Sequence, residues 1–157
     1  LIAAAIVEKD INCAIERALR EIPVTSRFYE AMKRTLDIVD GITNDEELIS
    51  KILEEFKSYH PVHTISNAAI CLAAIKYSQG DFHKAITLSV MAGLDTDCNG
   101  ATVGSVMGAF AGIDGIPEKW KKPINDTLYS GLADYNPIAI SELAKRTMEL
   151  YIKYKTI

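Results

Sequence analysis

Four glycines, at positions 100, 104, 108 and 112 of the run CNGATVGSVMGAFAG, recur every four residues. An α-helix brings that spacing onto one face, where it removes every Cβ from a single stripe. Each glycine in a helix interior costs about 1 kcal/mol relative to alanine, so four on one stripe require a compensating contact with a neighbouring element. Two readings satisfy that requirement. The stripe serves tight helix packing alone, or the same close packing also aims the first turn of this helix, and the segment before it, at a ligand.

The remainder of the chain is punctuated for helices. Asp10 is placed to cap a helix through Ile22, with Ile11, Ala14, Ile15, Ala18 and Leu19 as an apolar stripe and Pro23 as the stop. Thr25 or Ser26 caps a second, with Phe28, Met32, Leu36 and Val39 inward and Gly41 at its end. Asn44 and Glu47 form a capping pair ahead of Leu48, Ile49, Ile52, Leu53 and Phe56. Thr64 caps a segment from Ile65 to about Tyr77 that is apolar on every face, which predicts a central helix ended by Gln79-Gly80.

Asp81 caps the next helix, with Ala85, Ile86, Val90 and Met91 inward, and Gly93 closes it. A DTDCN loop follows, then the glycine-striped helix from about Gly100 to Gly112. Pro117 marks the first helical position of IPEKW, and Asn136-Pro137 opens a last helix to about Tyr154. Strand-like alternation is absent. These signals predict about eight or nine helices in an all-α, compact multi-helix fold. With no linker long enough to divide the chain, residues 1–157 are expected to form one domain.

Charge narrows the partners. The net charge is −4 and the lysines and arginines are scattered, whereas neutralising phosphates takes a clustered basic face. No nucleic-acid partner is expected. The run from Cys98 to Ile113 lacks charged residues but is shorter than the ~20 apolar residues a membrane span needs, so no membrane partner is expected either. Cys13, Cys71 and Cys98 cannot all pair and show no CxxC spacing, which favours a reducing, cytoplasmic setting. The opening LIAAAIVEKD lacks an initiator Met and is too short for a signal peptide, and it reads as the interior of a longer protein.

The chemistry concentrates in GLDTDCNGATVG, residues 93–104. Asp95 and Asp97 are read as lying just before a helix N-terminus, where unsatisfied N–H groups and the dipole favour negative charge. That explains one carboxylate as a cap but not two. With Thr96, Asn99 and the loop carbonyls they offer hard oxygen donors of the kind that suit magnesium, calcium or manganese, so a metal loop and a plain capping turn both remain open. An EF-hand fails on count, because its ninth and twelfth positions would be Val103 and Val106.

Other candidates carry less. His60 and His63 in HPVHT lack a third ligand nearby in sequence, and a His flanking a helix is a surface or capping residue. Cys98 would be reactive if the helix dipole lowered its pKa. Trp120 reads as a core anchor, and the acidic run Asp45-Glu46-Glu47 as a favourable first turn.

The run HPVHTISNAAICLAAIKYSQGDFHKAITLSVMAGLDTDCNGATVGSVMGAFAG, residues 60–112, resembles the C-terminal part of the ADP-ribosylglycohydrolase family. Dinitrogenase-reductase-activating glycohydrolases and crystallin J1 belong to that family. The resemblance lies in a Thr opening the preceding helix, a GDF-type turn, a helix ending in Gly, and G-x-D-T-D followed by G-A-x-x-G. It extends more loosely through SRFYEA and IPEKW.

The resemblance implies an all-α fold around two magnesium ions, or manganese, at the floor of a cleft. It implies hydrolysis of the bond joining ADP-ribose to a modified side chain or related acceptor, so the expected partner is an ADP-ribosylated substrate or an ADP-ribose-like small molecule. Asp95 and Asp97 match the family's two late aspartate ligands, with Asp97 as the bridge. Cys98 stands where the family has Thr and is the third candidate metal residue, although a thiol is a soft ligand that magnesium does not favour. Gly100 and Ala101 are expected on the substrate side. The family's early Thr-Asp-Asp motif is missing here: Asp37 and Asp40 are separated, and Asp45 has no preceding Thr. The chain is therefore expected to be the C-terminal part of an enzyme, inactive without the N-terminal half; the alternative is a catalytically silent, crystallin J1-like structural relative.

Overall fold

Short-range capping sets most of the helix starts. In the computed structural model, which describes residues 1–155, the Asp10 carboxylate accepts hydrogen bonds from the Asn12 and Cys13 amides. That bond pattern begins a helix over Ile11–Leu19. It is preceded by a shorter one, Ile2–Val7, which no capping signal announces; we number these α2 and α1. Ser26, not Thr25, caps α3 (Arg27–Val39) by accepting from the Tyr29 amide.

Asn44 caps α4 (Asp45–Glu55) through the Glu46 and Glu47 amides. The Glu47 side chain pairs with Lys51 at 2.8 Å instead of closing a reciprocal box. Helix α5 (Thr64–Ser78) starts one residue earlier than expected, because His63 Nδ1 accepts from the Ile65 amide at 3.1 Å and takes the capping role expected of Thr64. Asp81 caps α6 (Phe82–Met91) through the Lys84 amide.

The expected start of the next helix is wrong by about one turn. Helix α7 runs from Thr96 to Gly115, so Asp97 and Cys98 lie inside its first turn and not in a loop ahead of it. Polar residues are tolerated there because first-turn N–H groups have no partner within the helix.

Seven helices make up the compact unit Leu1–Ile116. Helix α5 is its hub: it packs against α2, α3, α4, α6 and α7, and Ile65, Ala69, Ile70, Leu72, Ala73, Ala74 and Ile75 are all buried. The glycine stripe finds its partner on α6. A Cβ at Gly100 would lie 3.2 Å from Val90 Cγ2, one at Gly104 3.7 Å from Ile86 Cδ1, and one at Gly108 3.8 Å from Phe82 Cε2. As the α7 position rises by four the α6 position falls by four, the register of two antiparallel helices meeting along their i, i+4 ridges. Gly112 breaks the series. It has φ +66° and ψ 176° and kinks α7, a conformation essentially reserved for glycine.

The second unit spans Pro117–Ile157. Pro117 stands at the N-cap of α8 (Glu118–Lys121), one residue outside its expected place, and a 3₁₀ turn covers Lys122–Ile124. Two strands follow that the sequence does not announce, β1 (Thr127–Leu128) and β2 (Ile138–Ala139), paired antiparallel with Thr127 opposite Ala139. A two-residue strand is too short to show a period. The last helix, α9 (Ile140–Lys155), begins after β2 and not at Pro137. Asp126 starts it, accepting from the Ser141 amide at 2.8 Å and the Ser141 hydroxyl at 2.5 Å. The fold is predominantly helical, as expected. No described helix is long and apolar enough to cross a membrane.

Candidate metal centre

The turn from α6 into α7 is sharp, and two consecutive residues make it in the left-handed region: Gly93 at φ +78° and Leu94 at φ +58°. Glycine accepts this freely, but a residue with a Cβ is disfavoured there by roughly 1–2 kcal/mol. The next amide anchors the strained turn, as Asp95 N–H donates to Asn67 Oδ1 on α5 at 3.2 Å. The Asp95 carbonyl then accepts the first bond of α7, from the Asn99 amide at 2.9 Å.

The Asp95 side chain makes no capping bond. The capping turn left open by the sequence is therefore not how this carboxylate is used. Asp97 projects from the first turn and is exposed, while Asp95 is half-buried. One ligand atom from each of Asp95, Asp97 and Cys98 lies within 4.8 Å of the others, the only grouping of three or more such residues among those described that could share an ion. Among the described residues, no ion pair relieves either carboxylate. Two carboxylates held this close repel each other, and the positive end of α7 works against that repulsion.

Cys98 is not the activated nucleophile that a helix N-terminus can create. A hydrogen bond to Asp95, and then the negative charges of Asp95 and Asp97, push its thiol above the usual range. Nearby anionic charge outweighs the dipole, and Cys98 remains protonated at neutral pH.

Asn99 also departs from expectation. It was counted among the oxygen donors, but it is buried and turned inward: Nδ2 donates to Asn67 Oδ1 at 2.8 Å, and the Cys71 thiol lies 3.5 Å from Oδ1. Burial pushes the Cys71 thiol up to about 12, so it is an inert donor. Asn67 and Cys71, four residues apart on α5, thus form the platform under the first turn of α7. Sequence reasoning missed both roles. The available signal was an Asn in the first turn of a largely apolar helix, since a half-buried amide seeks hydrogen-bond partners.

A cavity of about 720 Å³ adjoins this platform. Asn67, Asp95, Cys98 and Asn99 contribute to its lining, and Ile15, Leu19, Phe28, Met32 and Leu72 make it largely apolar. His60 and His63 are not part of the cluster; both are used by the backbone of their own connector, His63 as the cap of α5. Gly100 is half-buried with its Cα turned to Val90, and Ala101 is exposed. Asp45, Glu46 and Glu47 occupy the first turn of α4, where Asp45 meets Lys84 at 3.5 Å.

Residues 1–155 match the model of one protein family, described as ADP-ribosylglycohydrolase. No curated protein and no solved structure matches the chain.

Proposed function

The chain belongs to the ADP-ribosylglycohydrolase family, and from that membership we propose that it serves a metal-dependent hydrolase of ADP-ribosyl or related N- or O-glycosidic bonds, with Asp95 and Asp97 holding the cation. One observation carries this reading. Two carboxylates share a helix N-terminus with neither a capping bond from Asp95 nor a counter-ion among the described residues. Such a pair leaves carboxylate oxygens available to a cation at the positive end of the helix.

The donor set fits a hard divalent cation. Two carboxylates suit magnesium or manganese, and the Cys98 thiol beside them is a soft group that such ions do not favour. We assign magnesium, as a pair of ions, with manganese as its substitute; Asp95 and Asp97 would hold them. When bound, the metal supplies Lewis-acid polarisation of the ribose substituents or of a water. The chain's own part is to hold Asp95 at the cavity edge and Asp97 at the exposed first turn. The backbone of Gly100 and the exposed Ala101 form the substrate-side surface.

Two carboxylates and one thiol are too few for the near-octahedral shell that magnesium demands. We propose that water and a Thr-Asp-Asp segment from an N-terminal half of the same protein complete it, and that the 157-residue chain alone is inactive. We propose a cytoplasmic setting, which the free Cys13, Cys71 and Cys98 favour.

Titration calorimetry with Mn2+ and Mg2+ tests the metal assignment. Binding that Asp97→Ala abolishes supports it. Indifference to that substitution would favour a silent structural relative, the reading to which Cys98 in place of Thr lends some support. Release of ADP-ribose from a modified protein by the 157-residue chain alone would overturn the proposal that it needs a second half.

A further inference from the structure

Asn67 uses its whole amide. Oδ1 accepts from the Asp95 amide at 3.2 Å and from Asn99 Nδ2 at 2.8 Å, while Nδ2 donates to the Pro61 carbonyl at 2.7 Å and the His63 carbonyl at 3.0 Å. The orientation is unambiguous on chemistry, since a flipped amide would set donors against donors and acceptors against acceptors. The same side chain therefore ties two backbone segments together: the connector before α5 and the turn before α7.

What it holds is the part of the site least able to hold itself. Leu94 sits at φ +58°, a conformation its side chain disfavours, and Asp95 follows with no capping bond of its own. Without the bond to Oδ1, the main chain at Asp95 can relax away from the left-handed turn. Its carboxylate would then leave the neighbourhood of Asp97 and Cys98.

We infer that Asn67 is the positioning residue of the metal centre, acting through Oδ1 on the Asp95 amide and on Asn99. It acts through the protein's own groups, to which all four of its hydrogen bonds go. The inference rests on the reading of Asp95 and Asp97 as cation ligands, and it adds a requirement that the ligand pair does not itself state: the acceptor oxygen at position 67 sets cation affinity.

Two variants separate acceptor from donor. Asn67→Ala removes all four hydrogen bonds, whereas Asn67→Asp keeps oxygen acceptors toward Asp95 and Asn99 but sets an oxygen against the Pro61 and His63 carbonyls and adds a negative charge, so it is judged by exchange at Asp95 and not by affinity. Mn2+ affinity of the full chain is read by electron paramagnetic resonance, and amide hydrogen exchange at Asp95 is read without metal. Loss of a group that orients a metal ligand typically weakens binding 10–100-fold, so Asn67→Ala is expected to weaken Mn2+ binding about 10-fold or more. It should also speed exchange at Asp95. Asn67→Asp is expected to restore slow exchange at Asp95, because its carboxylate oxygen still accepts from that amide.

A purely structural Asn67 would leave exchange at Asp95 as fast in Asn67→Asp as in Asn67→Ala, and that result overturns the inference. So does an Asn67→Ala variant with parental affinity while Asp97→Ala has lost binding. If Asp97→Ala leaves Mn2+ binding untouched, the ligand assignment fails first, and the positioning role falls with it.

Discussion

Helices α5 and α9 are nearly equal in length, at 15 and 16 residues, yet ten residues of α5 are buried and none of α9 are. The first is apolar around its circumference and is surrounded by five other helices of its unit. The second leaves Met148, Leu150, Tyr151, Ile152 and Tyr154 exposed and is fastened at its start by the Asp126 side chain. Helices of one length are thus held by different physics: burial in one, a few directed hydrogen bonds in the other. The candidate metal centre hangs on the buried one, because only a helix fixed on all sides can present Asn67 and Cys71 to α7 as a rigid platform.

If burial holds α5, trimming it should be costly. Ile70 is buried to 3% exposure and projects toward α4 and α6, so Ile70→Ala is expected to lose about 2–5 kcal/mol from transfer and cavity terms together. Urea denaturation followed by far-ultraviolet circular dichroism measures it. A loss below about 1 kcal/mol would mean that neighbouring side chains collapse into the space and that α5 is less tightly held than its burial implies.

The glycine stripe of α7 divides on the same principle. Gly112 has a backbone that only glycine adopts readily, so Gly112→Ala is expected to destabilise by about 1–3 kcal/mol, although no atom lies within 4 Å of the new methyl group. Gly104 is helical, and its Cβ would meet Ile86 Cδ1 at 3.7 Å, ordinary contact. Gly104→Ala is therefore expected to stabilise by about 1 kcal/mol. Thermal melts of the two variants decide between them. If both destabilise, the seam between α6 and α7 is tighter than 3.7 Å suggests and packing, not conformation, governs the stripe.

The legibility of these features in the sequence follows the range of the interactions behind them. Asp10, Ser26, Asn44 and Asp81 were readable as caps because a cap bonds to amides two or three residues away. Helix α5 was readable as central because a segment apolar on all faces has nowhere else to go. The start of α7 was misplaced because polar side chains suit a first helical turn as well as a loop. His63 was overlooked as the α5 cap because Thr64 beside it is the commoner capping type. The pair β1–β2 is too short to show a period.

The site was legible in its ligands and not in its support. Asp95 and Asp97 are two residues apart, so the chain itself brings them together. The link from Asn67 spans 28 residues to Asp95 and 32 to Asn99, and only the packing of α5 against α7 creates it. The stripe gave a partial signal: its period announced a close neighbour, but three of the four glycines meet side chains of α6 and the fourth serves the kink.

On α9 the expected effects are small. Leu150 is 54% exposed, so Leu150→Ala should change stability by no more than about 0.5 kcal/mol, against the several expected at Ile70. The same denaturation experiment measures it. A loss as large as that at Ile70 would show that α9 is held by burial after all, and the contrast between the two helices would disappear.

The two aspartate caps close the comparison at the level of a single proton. Asp126 is held below the ordinary carboxylate value of 3.8 by hydrogen bonds from the Ser141 hydroxyl and amide, and Asp10 is lowered by the Asn12 and Cys13 amides. Both groups bind fewer protons folded than unfolded in that range, so each contribution is fully present above 3.8 and is lost as pH falls from 3.8 through the lower folded value. Carbon-detected NMR titration of the two carboxyl carbons should give midpoints below 3.8. Protonation should fray the start of α9 more visibly than that of α2, because α2 keeps Ile11, Ala14 and Ile15 buried when its cap is lost, whereas α9 has no buried residue to hold its first turn. Equal fraying at both ends would mean that the cap, and not the buried face, holds the first turn of each helix.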